Sequence, residues 1–254
     1  MDKPIGKLKL LTTKGEVVDA ILYCHQETTT IYGISFYLLK LNTPADASGT
    51  TLSASTGSVG RVPWGRFVYP LTGIAKILAS TIYATYRAYT GGGTVNAEID
   101  IKILTADGEM IRATIATGVS KSANLRTSWA TYTGANYSFA EYTVVDQTDY
   151  LEIDYIANVT AKKTGQYAYL RIDDNTLALA DQTRSQDWSF QAPAIVETIV
   201  AKNFPMDYLP SPAKAEQLTS KVSGATITTV SQDYPLTLIK KDKAQELISK
   251  FAAT

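Results

Sequence analysis

Thr94-Val-Asn-Ala-Glu-Ile-Asp-Ile-Lys-Ile-Leu104 decides the fold of this chain. Val95, Ala97, Ile99, Ile101 and Ile103 alternate with Asn96, Glu98, Asp100 and Lys102. A period of two sustained over this length predicts a strand with one dry face and one wet face. Shorter alternations recur through residues 16–190, separated by turn residues. Eight or more strands without a convincing helix between them predict an all-β, antiparallel β-sandwich rather than βαβ units. A jelly roll is the preferred topology. An immunoglobulin-like order stays open, because loop lengths do not fix strand pairing.

Outward from that strand, the Gly91-Gly92-Gly93 turn leads back to residues 81–89. There Ile82, Ala84, Tyr86 and Ala88 oppose Tyr83, Thr85, Arg87 and Tyr89. Residues 16–24 and 31–41 read as a hairpin joined by the polar Gln26–Thr30 segment. Residues 42–62 read as a loop with one short strand at 50–54, and Phe67–Tyr69 as a short strand ending at Pro70. On the other side, Asp107-Gly108 supplies the positive φ of a tight turn into Met110–Ala116. Trp129–Tyr132, Ala140–Val144, Tyr150–Val159, Gln166–Ile172 and Trp188–Phe190 complete the set of expected strands.

The expected division is a sandwich over 1–200 and a small α+β module over 201–254. Residues 1–62 form either an arm or the first strands of the sandwich. Asn203–Pro212 holds three prolines and reads as an extended connector. Ser211-Pro212 reads as the start of a short helix ending near Ser223-Gly224. Ala225–Val230 and Leu236–Ile239 read as strands. Asp242 caps a last helix, Lys243–Phe251, whose Ala244, Leu247, Ile248 and Phe251 make an apolar stripe. That stripe is too small for its own core, so it is expected to dock on the sandwich or on another copy.

At 254 residues the chain buries about 70% of its unfolded surface without needing a disulfide or metal staple. Lys+Arg and Asp+Glu both total 24, and this balance argues against nucleic-acid binding through a basic surface. Near-neutrality also weakens repulsion between copies, which suits self-association. Met1-Asp-Lys-Pro4 has no apolar leader region, and no apolar run is long enough for a membrane span. The expectation is therefore synthesis in a host cytoplasm and no membrane partner, with export as the alternative.

Catalytic chemistry is poorly supplied. Cys24 and His25 are each the single residue of their type. As strand neighbours they point to opposite faces, so they make a poor thiolate–imidazole pair. One His and one Cys are too few for a structural zinc site. No Gly-x-Ser-x-Gly elbow is present. Glu98 and Asp100 read as a solvated strand face rather than a glycosidase pair. Loop residues Asp146, Asp149, Asp173, Asp174 and Asp181 are weak Ca²⁺ candidates, with Asp173-Asp174-Asn175 also ordinary turn chemistry. Otherwise no cofactor is expected. Tyr83, Tyr89, Tyr167 and Tyr169 lie opposite the aliphatic rows, as a covered face, a subunit interface or a glycan platform. Leu247 and Phe251 are the other interface candidates.

The stretch from Trp64 to about Arg184 resembles a jelly-roll-type β-sandwich of tailed-virus structural proteins and of prokaryotic, especially archaeal, surface proteins. The residues that carry the likeness are Trp64-Gly-Arg-Phe-Val-Tyr-Pro70, Tyr150-Leu-Glu-Ile-Asp-Tyr155 and Tyr169-Leu-Arg-Ile-Asp-Asp-Asn-Thr176. Ser80–Tyr86 and Thr148–Ile153 are similar to two further strands of that family, though the first lacks its tryptophan. The resemblance implies a scaffold or binding role and supplies no catalytic residue. The leading expectation is a non-enzymatic virion subunit (head decoration, fibre or tail component) that forms a homo-oligomer and contacts other structural proteins. The alternatives are a lectin-like, carbohydrate-binding module and a subunit of an exported cell-surface filament.

Overall fold

The computed structural model describes residues 8–13, 15–45, 49–106, 111–200, 218–222 and 225–229. In chain order its strands are β1 (Leu8–Thr13), β2 (Val17–Ile31), β3 (Ile34–Lys40), β4 (Thr50–Ser55), β5 (Gly60–Pro70), β6 (Lys76–Ile77), β7 (Ser80–Thr90), β8 (Thr94–Leu104) and β9 (Ile111–Val119). They continue with β10 (Ala130–Thr133), β11 (Tyr137–Phe139), β12 (Tyr142–Thr143), β13 (Tyr150–Ala161), β14 (Tyr167–Ile172), β15 (Arg184–Gln191), β16 (Ile195–Val200), β17 (Leu218–Val222) and β18 (Ala225–Thr229). One short 3₁₀ turn, Leu179–Asp181, is the only helical element among the described residues.

The chain divides into Glu16–Ala192 and a second unit made of Met1–Gly15 with Pro193–Thr254. In the second unit β1 pairs antiparallel with β16, and β17 with β18. The expected strand at 225–230 is thus present as β18. The helix expected between Pro212 and Ser223 gives way to strand over Leu218–Val222. Thr219 and Val222, residues with strand preference, pair there with the Thr-rich β18. Leu236–Ile239 and the Lys243–Phe251 stripe, with Leu247 and Phe251, lie outside the described residues.

The first unit is an all-β sandwich built from one 14-stranded sheet with the path β4-β14-β7-β15-β2-β3-β5-β13-β8-β9. The path folds back on itself, so two layers face each other. Tyr86 of β7 meets Tyr155 of β13 edge to face, ring centroids 5.8 Å apart. The Trp64 indole N–H of β5 donates to the Ala168 carbonyl of β14 at 2.9 Å. Leu22, Ile82, Tyr86, Leu170 and Trp188 from one layer, and Phe67, Ile99, Ile101, Ile153 and Tyr155 from the other, are fully buried between them. An extra residue in β5, opposite the Tyr155/Ile156 step, lets both Trp64 and Phe67 point inward.

Strand β2 makes the corner. Its first half pairs with β15 and its second half with β3, with a register shift between Cys24 and Thr28. The sequence reading placed the hairpin connection at Gln26–Thr30. Instead β2 runs through those residues, and the turn is Tyr32-Gly33, with φ of 52° and 76°. Two consecutive positive φ values match the right-handed twist of a two-residue hairpin, whereas threonines 28–30 are good strand residues. Likewise 50–54 is the expected short strand, but β5 is far longer than Phe67–Tyr69. Asp107-Gly108 lies outside the described residues, although the strands on either side of it pair antiparallel.

Candidate functional site

The face of β8 read as wet is buried. Asn96, Glu98 and Asp100 retain 9%, 3% and 7% exposure, and on β13 Glu152 retains none. Alternation along β8 alone does not show what lies beside these residues. Register places Asp154 opposite Asp100 on one side and Arg66 on the other, and Glu152 opposite Lys102 and Val68. Two aspartates directly opposed across strands repel unless cations flank them. Here the cations come from the neighbouring strands. Arg61 forks across Glu98 and Asp100, Arg66 contacts Glu152 and Asp154, and Lys102 joins Asp154.

Neutral donors add to the layer: the Gly118 N–H donates to Asp100 at 2.7 Å and Asn158 donates to Glu98 at 3.0 Å. A small apolar cluster of Ile31, Phe36, Val68 and Leu104 shares this face, and the Arg66 guanidinium sits 4.5 Å from the centre of the Phe36 ring. Four carboxylates therefore face three cations. The hydrogen bond to Asp100 raises Arg61 above its usual range despite burial, with Glu98 adding to it. Burial, with repulsion from Asp154, pushes Glu152 up to about 7 against the pull of Lys102 and Arg66. Oε2 of Glu152 and Oδ1 of Asp154 are buried without a hydrogen-bond partner. A sequence signal for this layer existed: matching acidic doublets, Glu98/Asp100 and Glu152/Asp154, on two long strands, with Arg61 and Arg66 on a third.

His25 and Cys24 sit at the β2 corner, both buried. Where β2 leaves one partner for the other, its backbone groups need substitutes. Cys24 N–H donates to the Thr183 carbonyl, Asp173 N–H to the Cys24 carbonyl, and Gln26 N–H to the Asp173 carboxylate. His25 Nδ1 lies 3.3 Å from the same carboxylate. Its Nε2 is 3.0 Å from the Asn42 carbonyl and donates to it, since a carbonyl only accepts. The ring is thus fixed through Nε2, while Oδ1 of Asp173, the oxygen nearest Nδ1, is buried without a hydrogen-bond partner. Burial pushes the Cys24 thiol well above its usual range, so it stays protonated beside Tyr155.

The aspartates read as calcium candidates are dispersed. Asp149 accepts a two-pronged contact from Arg112, Asp146 caps Thr148, and Asp173 faces His25. Asp174 takes Arg171 and Thr176, and these contacts hold it below the usual carboxylate range although burial works the other way. Asp181 accepts from Thr131. Among the described residues no group of three or more His, Cys, Asp or Glu side chains is placed to hold a metal ion.

Of the tyrosines, Tyr89, Tyr167 and Tyr169 are brought together and Tyr83 is not; Tyr83 contacts Gln186 instead. Tyr169 stacks on Tyr89 at 4.6 Å, Trp129 meets Tyr89 at 65° and 4.5 Å, and Tyr167 follows at 6.3 Å. Trp129, placed in the expected strand Trp129–Tyr132 but not among the site candidates, is the member the sequence reading missed, and it lies just before β10. Only Tyr89 and Tyr169 stack face to face; Trp129 meets Tyr89 edge-on, and Tyr167, 45% exposed, is tilted by 47° to Tyr169.

No family model and no curated protein matches the sequence. Among solved structures, the chain is similar to a CocE/NonD family hydrolase from Staphylococcus aureus, with 10% identity, a TM-score of 0.46, and coverage of 70% of this chain and 37% of that one. It is similar at 8% identity and a TM-score of 0.46 to an aminopeptidase from a marine sediment Thaumarchaeota archaeon, covering 69% of this chain and 37% of the other. A third similarity, to the structure of infectious bursal disease virus Gx strain, has a TM-score of 0.21 at 9% identity, covering 77% and 60%. The chain thus spans little more than a third of the length of the hydrolase and aminopeptidase chains.

Proposed function

We propose that this chain is a non-catalytic structural subunit, a component of a virion, that works by packing its sandwich against other copies and other structural proteins. One observation carries the reading: the side chains best equipped for chemistry are fastened as architecture. His25 is buried with Nε2 on the Asn42 carbonyl, Cys24 is a buried thiol, and the carboxylates of β8 and β13 are ion-paired with Arg61, Arg66 and Lys102. The setting in a virion comes from the resemblance of the Trp64–Arg184 stretch to tailed-virus structural proteins. Zero formal charge favours repeated self-contact. Sedimentation of the full chain over a range of concentrations tests this. An assembly of defined stoichiometry is expected, and a strict monomer at tens of micromolar contradicts it.

A second reading, a lectin-like module, is favoured by the Tyr167–Tyr169–Tyr89–Trp129 row. The stacking of Tyr169 on Tyr89 closes one face of each ring to a sugar, so this reading stands behind the first. A glycan array with and without chelator separates them, since the structural role requires no sugar affinity.

A further inference from the structure

We infer that β4 is the strand through which two copies of this chain join, pairing antiparallel with itself across a two-fold axis at Ser53. This rests on the reading of the chain as a self-assembling subunit and names the contact. The main path of the sheet ends at β4 and at β9; off it, the two- to four-residue strands β10, β11 and β12 each pair on one side only and are too short to hold a second copy. Exposed edges template further strands unless bulges, prolines or charges blunt them. Edge strand β9 is blunted: its pairing with β8 shifts register three times, Gly118 takes a φ of 65°, and Arg112 projects from it. The part of β5 beyond its short pairing with β3 carries Pro63, which has no N–H to offer.

Strand β4 has none of these devices. Thr50-Thr-Leu-Ser-Ala-Ser55 contains no charge, no proline and no glycine, and its register with β14 is unbroken from Thr50↔Ile172 to Ser55↔Tyr167. Among the described residues no strand is hydrogen-bonded along its other side. Leu52 and Ala54 point into the core, while Thr51, Ser53 and Ser55 are exposed.

The occupant follows from symmetry. An isologous two-fold sets each residue against its mirror position, so any charge on such a strand meets a like charge nearby. With the axis at Ser53, Ser53 faces its own copy, Leu52 faces Ala54 and Thr51 faces Ser55. Apolar meets apolar on the inner face and hydroxyl meets hydroxyl on the outer. The sequence of β4 is self-complementary in polarity, and the joined sheet continues the layer without turning a side chain to the wrong face.

The test is a cysteine at the axis in the full chain. Opposed residues of an antiparallel pair lie about 4.5–5.5 Å apart at Cα, within disulfide reach. Under a mild thiol oxidant Ser53→Cys is expected to form a covalent dimer, whereas Ser55→Cys, whose counterpart is Thr51, is not. Buried Cys24 gives little background. Ser53→Lys, which places two ammonium groups at the axis, is expected to weaken association at least tenfold by sedimentation. Equal cross-linking of the two cysteine variants, or none with Ser53→Lys assembling like the parent, overturns this contact and leaves self-assembly standing. A parent chain that is monomeric throughout overturns both.

Discussion

Replacing Arg61 by Leu lowers the unfolding free energy by about 3 kcal/mol at pH 7.5, as measured by urea titration with an unchanged m-value. The cost comes from what is left behind. Glu98 and Asp100 are nearly closed to water, and Arg61 is the cation forked across both. Removing one partner of a buried pair strands the other charge, which costs about 3–5 kcal/mol. The low end applies because the Arg61 side chain keeps 35% exposure, so water screens part of the pair. Lys40→Leu is the comparison: its partner Glu27 is 60% exposed, and the expected change is below about 1 kcal/mol. A loss at Arg61 no larger than that at Lys40 means the layer on β8 is solvated after all.

Glu152→Gln is expected to act with the opposite sign. Burial and Asp154 push the Glu152 carboxyl up to about 7 in the folded protein, whereas an unfolded glutamate ionises near 4.3. A group raised on folding gives stability that is complete below its unfolded value and lost as pH rises through its folded one. The parent protein therefore gives up stability between about pH 4 and pH 8 on account of this group. A gap of roughly 2.5 pH units corresponds to about 3 kcal/mol. Glutamine cannot ionise, so the variant should match the parent at pH 4 and exceed it by up to about 3 kcal/mol at pH 8.5. Arg66 and Lys102 retain Asp154 as a partner. A variant weaker than the parent at pH 8.5 shows that the ionised Glu152 is held favourably by Arg66 and Lys102.

Much of the sandwich was legible in residue alternation. The rows Ile82–Ala88, Val95–Ile103 and Leu151–Tyr155 are the ones that line the core. What alternation leaves open is the environment of the other row. It reports that Glu98 and Asp100 oppose Ile99 and Ile101, but it does not report that Arg61, 37 and 39 residues before them, will be brought across them by the pairing of β5 with β13. Long-range register is the missing information, and it decides whether a charged row is wet or paired. The corner at Cys24–Thr28 was missed for a related reason. Polar residues there read as a loop, yet Asp173 and Thr183 supply the hydrogen bonds that let a strand pass from one layer to the other. The aromatic row was legible in three of its four members; Trp129 fell in the expected strand Trp129–Tyr132, but only the register of β10 with β7 and of β7 with β14 brings it beside Tyr89 and Tyr169.

The account rests on a sandwich that acts through contact between folded surfaces, and electron microscopy of the purified full chain tests this most directly. Discrete symmetric particles or filaments built from one repeating subunit are the predicted result. A field of dispersed single subunits at every concentration, from material that turns over a substrate, would contradict it.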